Sequence, residues 1–191
     1  MAEYAEKLII ITAPSGAGKT SVTKNLLAKM PQLGFSVSAT TRKPRSNEIN
    51  GVDYYFISEK DFHNKIQEED FIEWEMVYKG KFYGTFKSEL QRIWNENKIP
   101  LLDIDVKGAI HVQEQFNNNC LSIFIEPPSI EELEKRLQSR GTESLESIQT
   151  RMNKAVFELS FKNQFNKIII NDKLHDACAE TEQAVKEFLD L

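Results

Sequence analysis

The run Ala13-Pro14-Ser15-Gly16-Ala17-Gly18-Lys19-Thr20 constrains this chain more than any other stretch. It follows the apolar segment Leu8-Ile9-Ile10-Ile11 and precedes residues 21–30, whose apolar positions recur at helical spacing. A buried strand, a glycine-bearing loop and a helix, in that order, form the context of a phosphate-binding loop. Small residues let successive backbone N–H groups turn inward on an anion, and the helix adds its positive N-terminal end. Lys19 is spaced to reach the β/γ oxygens of a nucleotide, and the Thr20 hydroxyl to face a bound Mg²⁺. Ala13 stands where the motif's first glycine is usual, and its methyl is tolerated if φ there is negative. The competing reading is an ordinary tight turn with a chance Gly-Lys-Thr.

A length of 191 residues suits one α/β domain with small insertions and a sizeable core. Twenty-four basic and 29 acidic residues leave a net charge of −5, which argues against general binding to nucleic acid or membrane surfaces. A small anion held by a local group of arginines remains compatible with that charge. Cys120 and Cys178 lie in an apolar run and a helical run, as small core residues of a reducing compartment do. The N-terminal residues do not read as a signal peptide, and no apolar run reaches membrane-spanning length. The expectation is a soluble cytoplasmic protein.

Along the chain, residues 34–39 alternate as a second strand, and a polar loop from 40 to 50 carries Arg42 and Arg45. Residues 53–57 are strand-like, and Ser58 is a helix N-cap with Asp61 three positions on, for a helix to about residue 69. Residues 71–78 alternate at period two and turn through 79–81 into 82–85, a hairpin. A helix over 86–97 returns to strands at 99–105, 120–125 and 167–170, whose near-continuous apolar character fits parallel strands covered on both faces. Ser129, with Glu132 at the capping-box position, opens a helix ending near Arg140-Gly141; further helices span 143–161 and about 173–189.

Four arrays besides the loop carry chemistry. Asp103 and Asp105 stand at the carboxyl end of a core strand, where open α/β sheets place ligands, and alternation would turn both to one face. Asp103 suits the Mg²⁺ environment beside Thr20; the plainer reading is two water-facing strand ends. Arg42 and Arg45, with Tyr54 and Tyr83, would make a second anion site, guanidinium groups gripping a phosphate bidentately and phenols adding donors. Two loop arginines alone more often form a solvated surface. Glu73, between Ile72 and Trp74, reads by default as an exposed strand carboxylate. Arg136 and Arg140 lie one helical turn apart, with Arg151 on the next helix; they form either a basic solvated face or a mobile lid over a transferring phosphoryl group.

As a whole the pattern resembles the guanylate kinase family over nearly the entire chain. The matching segments, in that family's order, are 35–45, 50–56, Phe71-Ile72-Glu73-Trp74, Tyr83-Gly84-Thr85, Leu102-Asp103-Ile104-Asp105, and Arg136-Leu137 with Arg140-Gly141. Departures are Ala13 in the loop, Thr85 where Ser is common, and Lys107 where Gln often stands.

The resemblance implies an ATP:GMP phosphotransferase with a P-loop three-layer α/β fold around a central parallel sheet. It implies a core of about 1–36, 88–128 and 162–191, an inserted mostly-β GMP-binding unit at about 37–87, and a helical lid at about 129–161. Ser38, Arg42, Arg45, Tyr54, Glu73, Tyr83, Thr85 and Asp105 would line the site for GMP or its deoxy form. Residues 13–20 would cradle the ATP phosphates, and Asn171 would stand on the adenine side. Thr20 and Asp103 would serve Mg²⁺, while Lys19, Arg42, Arg136, Arg140 and Arg151 would carry the transfer.

Guanine offers N1–H and a 2-amino group side by side, a donor pair that one carboxylate accepts. Glu73 helped by Asp105 would read that edge, with Thr85 and Ser38 donating to O6. Adenine would leave the carboxylate facing a lone pair, at a cost of ~1–3 kcal/mol or more. Two other readings remain at this stage: a non-catalytic binding module of the same fold, and a kinase for another phosphorylated acceptor. Oligomeric state stays open.

Overall fold

A computed structural model of the protein describes residues 6–139 and 145–191. In chain order its elements are β1 (Leu8–Thr12), α1 (Lys19–Lys29), β2 (Leu33–Phe35), β3 (Ala39–Thr40), β4 (Tyr55–Phe56), α2 (Glu59–Gln67), β5 (Phe71–Tyr78) and β6 (Lys81–Phe86). They continue with α3 (Lys87–Asn95), β7 (Ile99–Asp103), α4 (Val106–Phe116), β8 (Cys120–Glu126), α5 (Ile130–Gln138), α6 (Leu145–Leu159), β9 (Lys167–Ile170) and α7 (Leu174–Leu189).

Every residue of β1 is buried, because this strand is the middle of a five-stranded sheet ordered β2-β7-β1-β8-β9. All its pairings are parallel. Alternation divides the apolar side chains between two faces. Ile9 and Ile11 pack with Val22, Leu26, Ala177 and Val185 of α1 and α7. Leu8 and Ile10 pack with Leu90, Ala109 and Val112 of α3 and α4. Helices therefore cover both faces, giving the three-layer α/β architecture the sequence implied. The carboxyl ends of β1 and β7 lie side by side, with Ile11 opposite Asp103, and the chain leaves these two strands toward opposite sides of the sheet. That crevice is where such folds bind ligands.

A second sheet, ordered β4-β3-β6-β5, has its own apolar cluster of Ala39, Phe62 and Phe71. Phe71 stacks on Phe62 at 4.5 Å and on Phe86 at 4.7 Å. The β5–β6 hairpin turns at Lys79-Gly80, where Gly80 takes φ 70°.

Several local expectations are corrected. Residues 34–39 are not one strand but the ends of two, in different sheets. The Ser36 N–H still bonds to Leu101 O (3.0 Å), but the next, Val37, goes to Glu89 Oε2 (3.1 Å), so the chain departs from the core sheet there. The strand expected over 53–57 narrows to β4. The strand expected to run to Asp105 stops at Asp103, and Asp105 instead caps α4, its Oδ1 accepting from Gly108 N at 2.9 Å. Helix α4 was not anticipated, although Val106, Ala109 and Val112 recur every three residues. Ser58 and Ser129 do cap α2 and α5, accepting from Asp61 N (3.0 Å) and Glu132 N (3.1 Å). The expected helix end at Arg140-Gly141 and helix start at residue 143 lie outside the described residues.

Both cysteines are free and buried, and burial pushes the Cys120 thiol up to about 12. Among the described residues no helix is long and apolar enough to cross a membrane.

Glu89 joins the two sheets. Buried in α3, it accepts from Val37 N where the chain leaves the core, from the Tyr55 hydroxyl of β4 (2.8 Å), and from Arg92 Nε and Nη2 (3.1 and 2.9 Å). Burial alone would raise its pKa, but these donors outweigh it and hold the carboxyl below its ordinary value. Replacing Glu89 with Ala strands those donors and should cost about 2 kcal/mol, read as a lower urea midpoint at unchanged slope.

Candidate active site

The loop after β1 turns through Gly16 (φ 95°) and Gly18 (φ 97°), both in the left-handed region. Gly18 has a second constraint: a Cβ there would lie 2.2 Å from Asn171 Nδ2, which donates to Ala17 O at 2.7 Å. Asn171 is thus a strut under the loop rather than a side chain turned outward. Ala13 lies outside the left-handed region and is buried in the core with Ala17, so its methyl is accommodated. Gly18 is also the N-cap of α1, with no side chain to offer the helix and no acidic residue in the first turn. The leading N–H groups are left to an anion.

Lys19 Nζ is ion-paired with Asp103 Oδ1 and donates to Ile104 O (3.2 Å). Burial works against the ammonium, but the adjacent carboxylate overcomes it and raises the Lys19 pKa. Thr23 Oγ1 lies 3.5 Å from Asp103 Oδ2. Thr20 is exposed and opens on the same cleft as Asp103. The described residues hold no cluster of three metal-ligating side chains. One hydroxyl and one carboxylate suit a cation such as Mg²⁺, which keeps water and substrate oxygens around it.

Two adjoining clefts share Ser38, Tyr54, Tyr83 and Asp103, forming one trough. Glu73 and Asp105 stand at one end, and Arg42 and Arg45 at the other. The Tyr54 and Tyr83 rings meet edge-on at 6.0 Å between them. Glu73 is buried, not the exposed carboxylate that its strand position gives by default. The backbone of α4 presses on it: a Cβ at Gly108 would lie 2.5 Å from Glu73 Oε2. Burial pushes the Glu73 carboxyl up to about 8, against the Thr85 hydroxyl donating to Oε1 at 2.6 Å. The nearby Asp105 adds to the rise.

At the other end, Arg42 forks onto Glu48, Nη1 to Oε2 and Nη2 to Oε1, both at 2.6 Å. Its guanidinium lies over the Tyr54 ring (4.8 Å) and near that of Phe56 (5.5 Å). Arg45 donates its backbone N–H to Glu48 Oε2 (2.8 Å), while its side chain is 72% exposed. The Arg42 guanidinium holds the Glu48 carboxyl down at about 2. Sequence reasoning missed Glu48; the available signal was an acid three residues after Arg45 and six after Arg42.

The helical arginines are divided. Arg136 bonds to Glu132 Oε1 (3.1 Å) and to the carbonyls of Asn171 (3.0 Å) and Asp172 (3.4 Å). Arg151 Nη1 approaches Ser15 Oγ of the loop at 3.5 Å. Arg140 lies outside the described residues.

A parallel sheet with a phosphate loop after its central strand, a lysine in that loop, and arginines facing it across a trough define a P-loop kinase acting on a small acceptor. A gluconokinase of Sinorhizobium meliloti shares the fold alone, with a TM-score of 0.55 at 12% identity over 97% of this chain and 94% of that one. The guanylate kinase family model matches residues 5–188. A guanylate kinase of Porphyromonas gingivalis is 45% identical over 96% of this chain and 98% of its own length. One from Bacteroides thetaiotaomicron is 43% identical over 96% and 90%. A crystal structure of guanylate kinase from Anaplasma phagocytophilum superposes with a TM-score of 0.77 at 28% identity, over 95% of this chain and 85% of that one. The chain belongs to the guanylate kinase family.

With a folded-state value near 8 against 4.5 for the ordinary side chain, Glu73 keeps its proton in the native state after the unfolded chain has lost it. The native state then binds more protons, so this residue lowers stability as pH rises from about 4.5 to 8, with a slope of order 1 kcal/mol per pH unit. Glu73→Gln should flatten that slope and raise the melting temperature at pH 8, as thermal scans across pH 5–8 would record.

Proposed function

We propose that this chain moves the γ-phosphoryl group of ATP onto the phosphate of GMP, giving ADP and GDP. The reading is carried by the trough itself: a buried carboxylate at one end, arginines at the other, and Lys19 with Asp103 where the two clefts join. A purine nucleotide has that polarity. In this reading the residues divide into a core (1–36, 88–128, 162–191), an acceptor-binding insertion (37–87) and a lid (129–161).

Glu73 accepts guanine N1–H and the 2-amino group, with Asp105 beside it. The Thr85 proton is already spent on Glu73, so Thr85 holds the carboxylate and Ser38 is the donor to O6. Arg42, Arg45, Tyr54 and Tyr83 take the acceptor phosphate, offsetting its repulsion from the donor. Residues 13–20 wrap the donor phosphates with backbone N–H groups. Lys19, held protonated beside Asp103, shifts onto the β/γ oxygens, and Arg136, Arg140 and Arg151 close from the lid. Thr20 and Asp103 would hold Mg²⁺, which neutralises the donor's phosphate oxygens when bound.

The acceptor is already an anion near neutral pH, so no strong general base is required. Positioning and charge neutralisation supply the rate. Closure excludes water, which competes as acceptor. The free, buried cysteines fit a cytoplasmic setting.

An acceptor panel tests this. With ATP and Mg²⁺, GMP and dGMP should be phosphorylated, and AMP, CMP and UMP slower by roughly 10⁴ in kcat/KM, as sites built on hydrogen-bond readout discriminate. Comparable rates on all four bases would refute the role of Glu73. A second outcome concerns protons. Because guanine's donors favour ionised Glu73, GMP binding at pH 7 should release close to one proton. Calorimetry in two buffers of different ionisation enthalpy measures this, and Glu73→Gln should abolish it.

A further inference from the structure

Arg42 has more partners than a surface arginine needs. Both Nη1 hydrogens are engaged, one by Glu48 Oε2 and one by Lys43 O (3.0 Å), and Nη2 gives one hydrogen to Glu48 Oε1. The Nη1–Nη2 edge is therefore closed. The Nε–Nη2 edge is not taken by Glu48 or Lys43; the Tyr83 hydroxyl, which also bonds to this guanidinium, stands beside the fork that could hold two oxygens of a phosphate. The plane of the guanidinium is fixed independently by the rings of Tyr54 and Phe56.

Glu48 is itself tied down. Besides Arg42 it accepts the Arg45 backbone N–H, lies 4.0 Å from Arg45 Nη1, and its side chain is only 15% exposed. Its single charge stands between two guanidinium groups that would otherwise repel each other. One carboxylate against two cations still leaves a net positive charge for an incoming anion.

We infer that Glu48 is a positioning residue for the acceptor phosphate, closing one edge of Arg42 so that its Nε–Nη2 edge is presented to the trough. This rests on the reading of Arg42 and Arg45 as the acceptor-phosphate site. The alternative role is the opposite one. A carboxylate on arginines resembles a phosphate on arginines, and Glu48 would then be a resident competitor that GMP must displace. The two roles predict opposite changes. Loss of a strut weakens GMP, whereas loss of a competitor strengthens it.

The experiment is steady-state kinetics of Glu48→Gln with GMP and ATP varied separately, each variant's fold checked by thermal unfolding. The KM for GMP should rise about tenfold, with the KM for ATP unchanged, since only the acceptor phosphate meets this loop. In an Arg42→Lys background, where no fork remains to be aimed, Glu48→Gln should add less than about twofold. A general structural defect would move both KM values and would persist in that background. If Glu48→Gln does not fold, Glu48→Asp, which withdraws the charge by one methylene, carries the same prediction. A lower or unchanged KM for GMP, or an undiminished effect in the Arg42→Lys background, overturns the inference. Those outcomes in an active wild type leave the phosphotransfer reading standing, whereas a wild type inactive on GMP removes both.

Discussion

The positive charges of the candidate site are held against the protein's own oxygens. Lys19 is paired with Asp103, Arg42 with Glu48, and Arg136 with the carbonyls at the end of β9. Without these partners the cations would repel one another around a partly buried trough and lose much of their hydration. With them, each cation keeps a charge-assisted partner within the protein. Basic side chains such as Lys19 and Arg42 can therefore gather along the crevice, each beside an acid, while the chain as a whole carries a net charge of −5.

The fold supplies these pairings through strand ends. Asp103 reaches Lys19 because β1 and β7 are neighbours and both stop at the same level. Glu73 belongs to the second sheet, yet it is pressed by Gly108 of α4 on the core. The Glu73 end of the trough is thus assembled from two bodies, each built on its own sheet, and Glu89 fixes where the chain passes from one to the other. A carboxyl buried at such a seam sits far from its ordinary pKa because water is excluded by both bodies at once.

Much of this was legible in the sequence because the signals were local. The four apolar residues before Ala13 announce a buried strand, and the glycines with Lys19 announce the loop. Ser58 and Ser129 mark helix starts through their own hydroxyls. What was not legible depended on partners distant in sequence. Residues 34–39 alternate well enough for one strand, and only Glu89, 52 positions beyond Val37, draws the chain out of the sheet. Asp105 continues a strand by pattern, but its carboxylate finds the N–H of Gly108 and starts a helix. Glu48 looks like any acid in a polar loop until the guanidinium of Arg42 is seen folded onto it. Asn171 belongs to the sequence's last strand end, yet its amide holds the far side of the phosphate loop.

Gly16 faces α5 so closely that a methyl group there would come within 2.9 Å of Leu137 and 3.0 Å of Leu133. The helix bearing Arg136 therefore rests its apolar side on the loop that follows β1. Any side chain larger than hydrogen at position 16 would have to push this arginine-bearing helix away from the loop.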